Sequence, residues 1–195
     1  SATGRTYDGT TVAALGGAAT VTALGTDTVS VAGVGTGAFA NKNVGTAKPV
    51  TVSGFTLSGA DATNYNVVQP TGLTANVSAA ALTVTAQQVS RTYDGTTTAS
   101  GNGSVGLLLG AGAGETVNTA GTQAFLDKNV GTGNKVVRAS GVTIKDSGNA
   151  DVTGNYSITY VDNTASTINQ RPSSTWIGSV SGGLWSNAAN WDALP

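Results

Sequence analysis

Two lysines, Lys42 and Lys128, and two asparagines, Asn64 and Asn155, stand at corresponding places in two halves of the chain. A lysine amine can attack an asparagine carboxamide and form an isopeptide bond with loss of ammonia. The reaction needs an assisting acid and an amine that burial keeps neutral. Lys42 with Asn64 and Lys128 with Asn155 are the pairs this order suggests. The plainer reading is that each lysine pairs with an acid or covers apolar surface with its stem. Asp8 and Asp94 each precede a glycine, where a carboxylate accepts bonds from nearby backbone N–H groups and shapes a turn. With no histidine in the chain, general acid–base work would fall to aspartates or to the lone glutamate, Glu115. No two acids recur at facing positions that would share such work.

Three further stretches invite a chemical reading. Gly101–Gly106, GNGSVG, matches the glycine spacing of a dinucleotide-binding turn, with Asp127 about twenty residues on. That turn needs a strand before it and a helix after it, and no helical pattern follows, so a loop is expected. Asp146–Asn155, DSGNADVTGN, offers oxygens to calcium but lacks the EF-hand spacing, and reads as a polar turn. Trp176, Trp185 and Trp191, all the tryptophans of the chain, could stack on sugar rings. Their alternative role is core or capping at the entrance to a following domain.

The composition narrows the classes. The 195 residues contain no Cys, His or Met, so zinc fingers, catalytic thiols, imidazole bases and disulfides are excluded. Nine basic and ten acidic residues give a net charge of −1, which leaves no footprint for nucleic acid. The longest apolar run, Val105 to Gly114, is ten residues and too short to span a bilayer. No metal and no cofactor are implied. Twenty-eight glycines and 31 threonines at such low charge suit strands joined by tight turns rather than a self-repelling disordered chain. The chain starts at Ser1 with neither an initiator methionine nor a signal peptide, as a fragment or processed product would.

The elements that position these residues come as an internal repeat. RTYDGTT at Arg5–Thr11 returns at Arg91–Thr97, and FANKNVGT at Phe39–Thr46 returns as FLDKNVGT at Phe125–Thr132, both 86 residues later. VSGF at Val52–Phe55 answers ASGV at Ala139–Val142, and NYNV at Asn64–Val67 answers NYSI at Asn155–Ile158. The offset drifts to 91, which places an insertion around Lys145–Gly154. We therefore expect domains at 1–79 and 80–170, followed by a linker and tryptophan-bearing start of another domain at 171–195. Apolar residues alternate at Val21 and Ala23, Val29 and Val31, Val50 and Val52, Leu82, Val84 and Ala86, and Tyr156, Ile158 and Tyr160. A period of two means strands with one buried face. The fold class is all-β: two tandem small β-sandwich repeats, Ig-like or β-grasp-like, with an extended C-terminal segment. The recurring aromatics Tyr7 and Tyr93, Phe39 and Phe125, and Tyr65 and Tyr156 are expected in the core. Gly9, Gly95, Asn43 and Asn129 complete the structural motif positions.

One asymmetry stands out. An alternating strand, Leu82–Val89, leads into the second RTYDGTT, whereas only Ser1–Gly4 precede the first. The first domain either lost a strand at its boundary or leaves a sheet edge open to strand addition from another chain.

RTYDGTT followed by F-x-x-KNVGT, SG and NY resembles the YDG-type repeat of bacterial surface proteins, over about Arg5 to Gln170. That repeat accompanies the MBG-type repeats of filamentous-haemagglutinin-like and two-partner-secretion adhesins. The stretch Thr175–Pro195 is similar to the W-x-G…AANW element that opens repeats in autotransporter-like proteins. The resemblance implies a non-enzymatic stalk segment of a secreted or surface-anchored adhesin or filament, with no catalytic residues. Its partners would be neighbouring domains or other copies of itself. A glycan-binding module using the tryptophans, and a subunit self-assembling by strand addition, are the alternatives.

Overall fold

The computed structural model describes residues 1–173; the tryptophans at 176, 185 and 191, and the glycan reading resting on them, lie outside these. The fold is all-β, 49% strand and 6% helical, in several sheets of a β-sandwich-like kind. The chain divides into two compact units. The first takes Ser1–Val84 together with Val105–Ala120 and Gly141–Thr159, and the second takes Thr85–Ser104, Gly121–Ser140 and the described residues from Tyr160.

The first repeat contributes eight strands to unit 1: β1 (Ala2–Thr3), β2 (Arg5–Thr6), β3 (Val12–Leu15), β4 (Ser30–Ala32), β5 (Thr36–Phe39), β6 (Gly45–Ser53), β7 (Thr56–Ser58) and β8 (Thr74–Ser78). Six of them form a sheet in the order β1-β3-β5-β6-β8-β2, and β4 pairs with β7 in a sheet of two. The antiparallel register of β5 on β6 sets Phe39 against Val50 and Gly37 against Val52. Phe39, Val50 and Val52 are all buried on one face, as their alternation with exposed neighbours requires. β2 closes the sheet parallel to β8 and sends Tyr7 into the core, where it is fully buried.

The second repeat begins with β9 (Ala80–Thr85), an alternation of buried Ala80, Leu82 and Val84 with exposed Ala81, Thr83 and Thr85. Burial of a side chain the size of Leu82 or Val84 contributes about 1.5–3 kcal/mol by leaving water. The later strands are β10 (Ser90–Thr92), β11 (Thr98–Ala99), β12 (Ser104–Val105), β13 (Thr116–Phe125), β14 (Gly131–Lys145), β15 (Tyr156–Val161) and β16 (Asn163–Asn169). β9 is the middle strand of the three-stranded sheet β12-β9-β15. The five-stranded sheet runs β10-β16-β14-β13-β11, with β10 parallel to β16 as β2 is to β8. GNGSVG holds the short strand β12 and no helix follows it, only a 3-10 segment at Leu109–Ala113.

The alternation at Val21, Ala23 and Val29 does not become a strand. Residues 16–29 contain none, and β4 starts only at Ser30. A strand needs a partner for its backbone groups, and periodicity alone does not supply one.

Candidate functional site

The recurring motif has a local job that explains its composition. Asp8 Oδ1 accepts hydrogen bonds from the Thr10 backbone N–H at 2.9 Å and from the Thr10 hydroxyl at 2.8 Å. Arg5 pairs with Asp8, donates to the Thr10 hydroxyl at 2.9 Å, and stands over the Phe39 ring at 5.6 Å. In the second repeat, Asp94 takes the same two bonds from Thr96, each at 2.8 Å, and Arg91 lies 5.2 Å from the Phe125 centroid. Backbone and hydroxyl donors, with Arg91 beside them, hold the Asp94 carboxyl down to about 2. Gly9 and Gly95 follow at φ +80° and +82°, which L side chains rarely adopt. Asp, Gly and Thr therefore build a turn, and Arg ties it to the aromatic core.

A second cluster is specific to unit 1. Glu115, its side chain fully buried, sits just past the 3-10 segment Leu109–Ala113. Its Oε1 accepts from Lys42 Nζ at 2.8 Å and from the Tyr7 hydroxyl, and its Oε2 accepts from the Tyr156 hydroxyl at 2.7 Å. Tyr156 also accepts from the Gly110 backbone N–H at 3.1 Å. The two tyrosine rings meet edge to face, 5.6 Å apart at 78°. Asp146 lies 3.6 Å from the same Lys42 amine. Beside them Asn155 accepts from the Val44 N–H at 3.0 Å and donates to Asn43 Oδ1 at 3.1 Å.

Burial alone would raise the Glu115 carboxyl, but hydrogen bonds from Lys42, Tyr7 and Tyr156 outweigh it and hold it below the usual value. Burial, then the bond to Glu115, pushes the Tyr156 phenol up to about 12 and moves Tyr7 upward as well. The result is an ionised carboxylate held by one ammonium and two protonated phenols. Steric fit matches this electrostatic fit. A Cβ on Gly110 would fall 2.1 Å from Glu115 Oε2, and a Cβ on Gly9 would fall 2.8 Å from that of Ala113.

The expected site residues divide on this geometry. Tyr7, Lys42, Asn43, Asn155 and Tyr156 come together, with Gly9 and Asp8 in the adjoining turn. Lys42 ends on Glu115, and Asn155 spends both ends of its carboxamide on Asn43 and Val44, so neither expected cross-link pair is brought together. Asn64 is exposed in a 3-10 turn, and Lys128 is exposed. Phe39 and Phe125 are core residues, as expected. Tyr65 and Tyr93 are only half-buried; Tyr65 instead donates to Asp27 and accepts from the Leu24 N–H, both at 2.8 Å. Asn129 donates its backbone N–H to Asp127 in an exposed turn. In the DSGNADVTGN stretch, Asp146 Oδ1 accepts from Gly148 and Ala150 N–H groups, and Asp151 from that of Thr153. That is a self-bonded turn. Sequence reasoning missed Glu115 as the centre of the cluster. Its signal was its rarity: one glutamate in a chain so poor in charge.

Comparison with known proteins agrees with the repeat. The family model described as "YDG domain" matches residues 1–72 and again 78–166. No curated protein and no solved structure matches the chain. Matched twice and over most of its length, the chain belongs to the YDG domain family.

Proposed function

We propose that this chain is a non-enzymatic structural segment, a spacer in the stalk of a secreted or surface-anchored bacterial adhesin or extracellular filament. The observation that carries the reading is what the motif residues of the first repeat hold. Tyr7, Lys42 and Gly9 belong to the first RTYDGTT and KNVGT blocks, and they close on Glu115, Tyr156, Gly110 and Ala113 of the second. The same positions one repeat later behave differently. Tyr93 is half-buried, Lys128 is exposed, and a Cβ on Gly95 would meet nothing within 4 Å. The motif thus does two things: it shapes a turn within each repeat, and it locks a repeat to its successor. Such a lock resists bending and slippage along a tandem array. The paired amine and carboxylate are committed to each other, and the carboxylate is sealed from solvent, which argues for support over turnover.

Single-molecule extension of the chain between inert handles tests this. A spacer should unfold at a defined force that Lys42→Met lowers. Unfolding force unchanged by that substitution, or a turnover activity abolished by it, would overturn the reading.

A further inference from the structure

The acid-and-tyrosine half of the lock is built twice. In the second repeat the 3-10 turn Thr153–Asn155 ends on Tyr156, with φ −117° and ψ 139°. In the first, the 3-10 turn Ala62–Asn64 ends on Tyr65, with φ −122° and ψ 143°. Gly110 gives its N–H to the Tyr156 hydroxyl and accepts the Glu115 N–H on its carbonyl, at 3.1 and 3.2 Å. Leu24 does the same between the Tyr65 hydroxyl and the Asp27 N–H, at 2.8 and 2.9 Å. Each tyrosine donates to its acid, Tyr156 to Glu115 at 2.7 Å and Tyr65 to Asp27 at 2.8 Å. Asp27 thus stands where Glu115 stands, Tyr65 where Tyr156 does, and Asn64 where Asn155 does. The repeat offsets hide this, because Asp27 follows Leu24 by three positions and Glu115 follows Gly110 by five.

The two copies differ in what reaches the carboxylate. Glu115 also takes Lys42 and Tyr7 from the motif blocks of the first repeat. Asp27 is half-buried and Asn64 exposed, and among the described residues no lysine or arginine pairs with Asp27. A second carboxylate, Asp61, accepts from the adjoining Thr28 N–H at 2.8 Å, so negative charge gathers at this turn.

The motif half of the lock is also built twice. Arg91 over Phe125 ties the second RTYDGTT to the second KNVGT block, as Arg5 over Phe39 ties the first. The Lys128 amine is exposed and, among the described residues, pairs with no acid. A Cβ on Gly95 meets nothing within 4 Å, where one on Gly9 meets Ala113 and Gly110.

We propose that Asp27, Tyr65 and Asn64 are a docking site for a second copy of this chain, entered by that copy's Tyr93, Gly95 and Lys128. The Lys128 ammonium and Tyr93 hydroxyl take up the Asp27 carboxylate as Lys42 and Tyr7 take up Glu115, and Gly95 leaves room for the exposed Leu24 side chain. Opposite charges on the two faces steer the encounter and fix its register. Because the faces are unlike, each joined copy still offers one of them, so association propagates instead of stopping at a symmetric dimer. The docking follows from the residues of the lock and does not require a stalk role.

Self-association of the full chain up to millimolar concentration, followed by sedimentation equilibrium and backbone amide NMR, tests this. Asp27→Asn removes the charge but keeps an acceptor for the Tyr65 hydroxyl, and Lys128→Glu changes an exposed residue, so both variants retain the fold. Each alone should associate at least about tenfold more weakly than the parent. Mixed, they should pair once and stop, through Lys128 of the Asp27→Asn chain and Asp27 of the Lys128→Glu chain. With one partner labelled at a time, shifts should appear at residues 93–95 and 128–130 of the first and at 24–28 and 64–66 of the second. Lys42→Met opens the filled lock and neither free face, and should leave association unchanged, so failure of the spacer role and failure of this docking are distinguishable. A chain monomeric at millimolar concentration, variants that associate like the parent, or mixed-variant shifts on both faces of one chain would overturn the proposal.

Discussion

Replacing Lys42 by Met should be the most informative perturbation of unit 1. Methionine keeps the apolar stem and removes only the ammonium that faces Glu115 at 2.8 Å. The carboxylate is then left with two phenol donors in a site where its side chain is fully buried. Stranding one member of a buried ion pair costs about 3–5 kcal/mol. The two remaining charge-assisted bonds, worth about 1.5–3 kcal/mol each, keep the loss near the lower end of that range. We therefore expect about 3 kcal/mol at pH 7.

The pH dependence follows from the direction of the shift. In the native chain the folded Glu115 value is depressed, so its stabilisation is present above its unfolded value of about 4.3 and is lost as pH falls through the folded value. Without Lys42, burial dominates and the folded value rises above the unfolded one. The stabilisation then lies on the acid side and is lost as pH climbs. Asp146, the other acid facing this amine, keeps its bonds from Ala150 and Gly148. The deficit of the variant should thus be largest at neutral pH and shrink toward pH 4. Urea unfolding followed by far-ultraviolet circular dichroism at the two pH values measures it. Adding Glu115→Gln should recover part of the loss, with a coupling of about 2 kcal/mol. A deficit below about 1 kcal/mol, or one equal at both pH values, would refute the stranded-charge account.

Two other outcomes test the site. Gly9→Ala should cost about 1–3 kcal/mol more than Gly95→Ala. Both glycines share nearly the same positive φ, but only Gly9 has Ala113 and Gly110 against its missing Cβ, so equal costs in denaturant melts would remove the close approach as the reason. Asp94 should titrate near 2 by carboxyl NMR; its stabilising effect is present above the unfolded value and lost as pH falls through 2. An ordinary aspartate value would show that the turn with Thr96 and Arg91 is not held in solution.

Much of the architecture is legible in the sequence. The RTYDGTT and KNVGT blocks gave two copies, and period-two runs at Val50–Val52, Leu82–Ala86 and Tyr156–Tyr160 marked strands that form. Asp-Gly marked turns that form, because carboxylate-to-backbone bonding spans two residues and needs nothing distant. The run at Val21–Val29 shows the limit: alternation states which side chains would face a core, and whether a strand forms depends on a partner strand elsewhere. Tyr7 and Tyr93 make the same point. They sit in identical heptapeptides, yet one is fully buried and the other half-exposed.

By itself, then, the sequence determined the all-β class, the tandem copies, the turn chemistry and the absence of histidine and thiol chemistry, all properties of composition and short range. Only the tertiary structure decided that Lys42 meets Glu115 across 73 residues and that Tyr156 and Asn155 join them. It alone showed that the alternation at Val21, Ala23 and Val29 forms no strand while that at Leu82 and Val84 does. The physical reason is the same in each case. Burial of a charge or a strand depends on what long-range packing brings against it, and no local pattern encodes that partner.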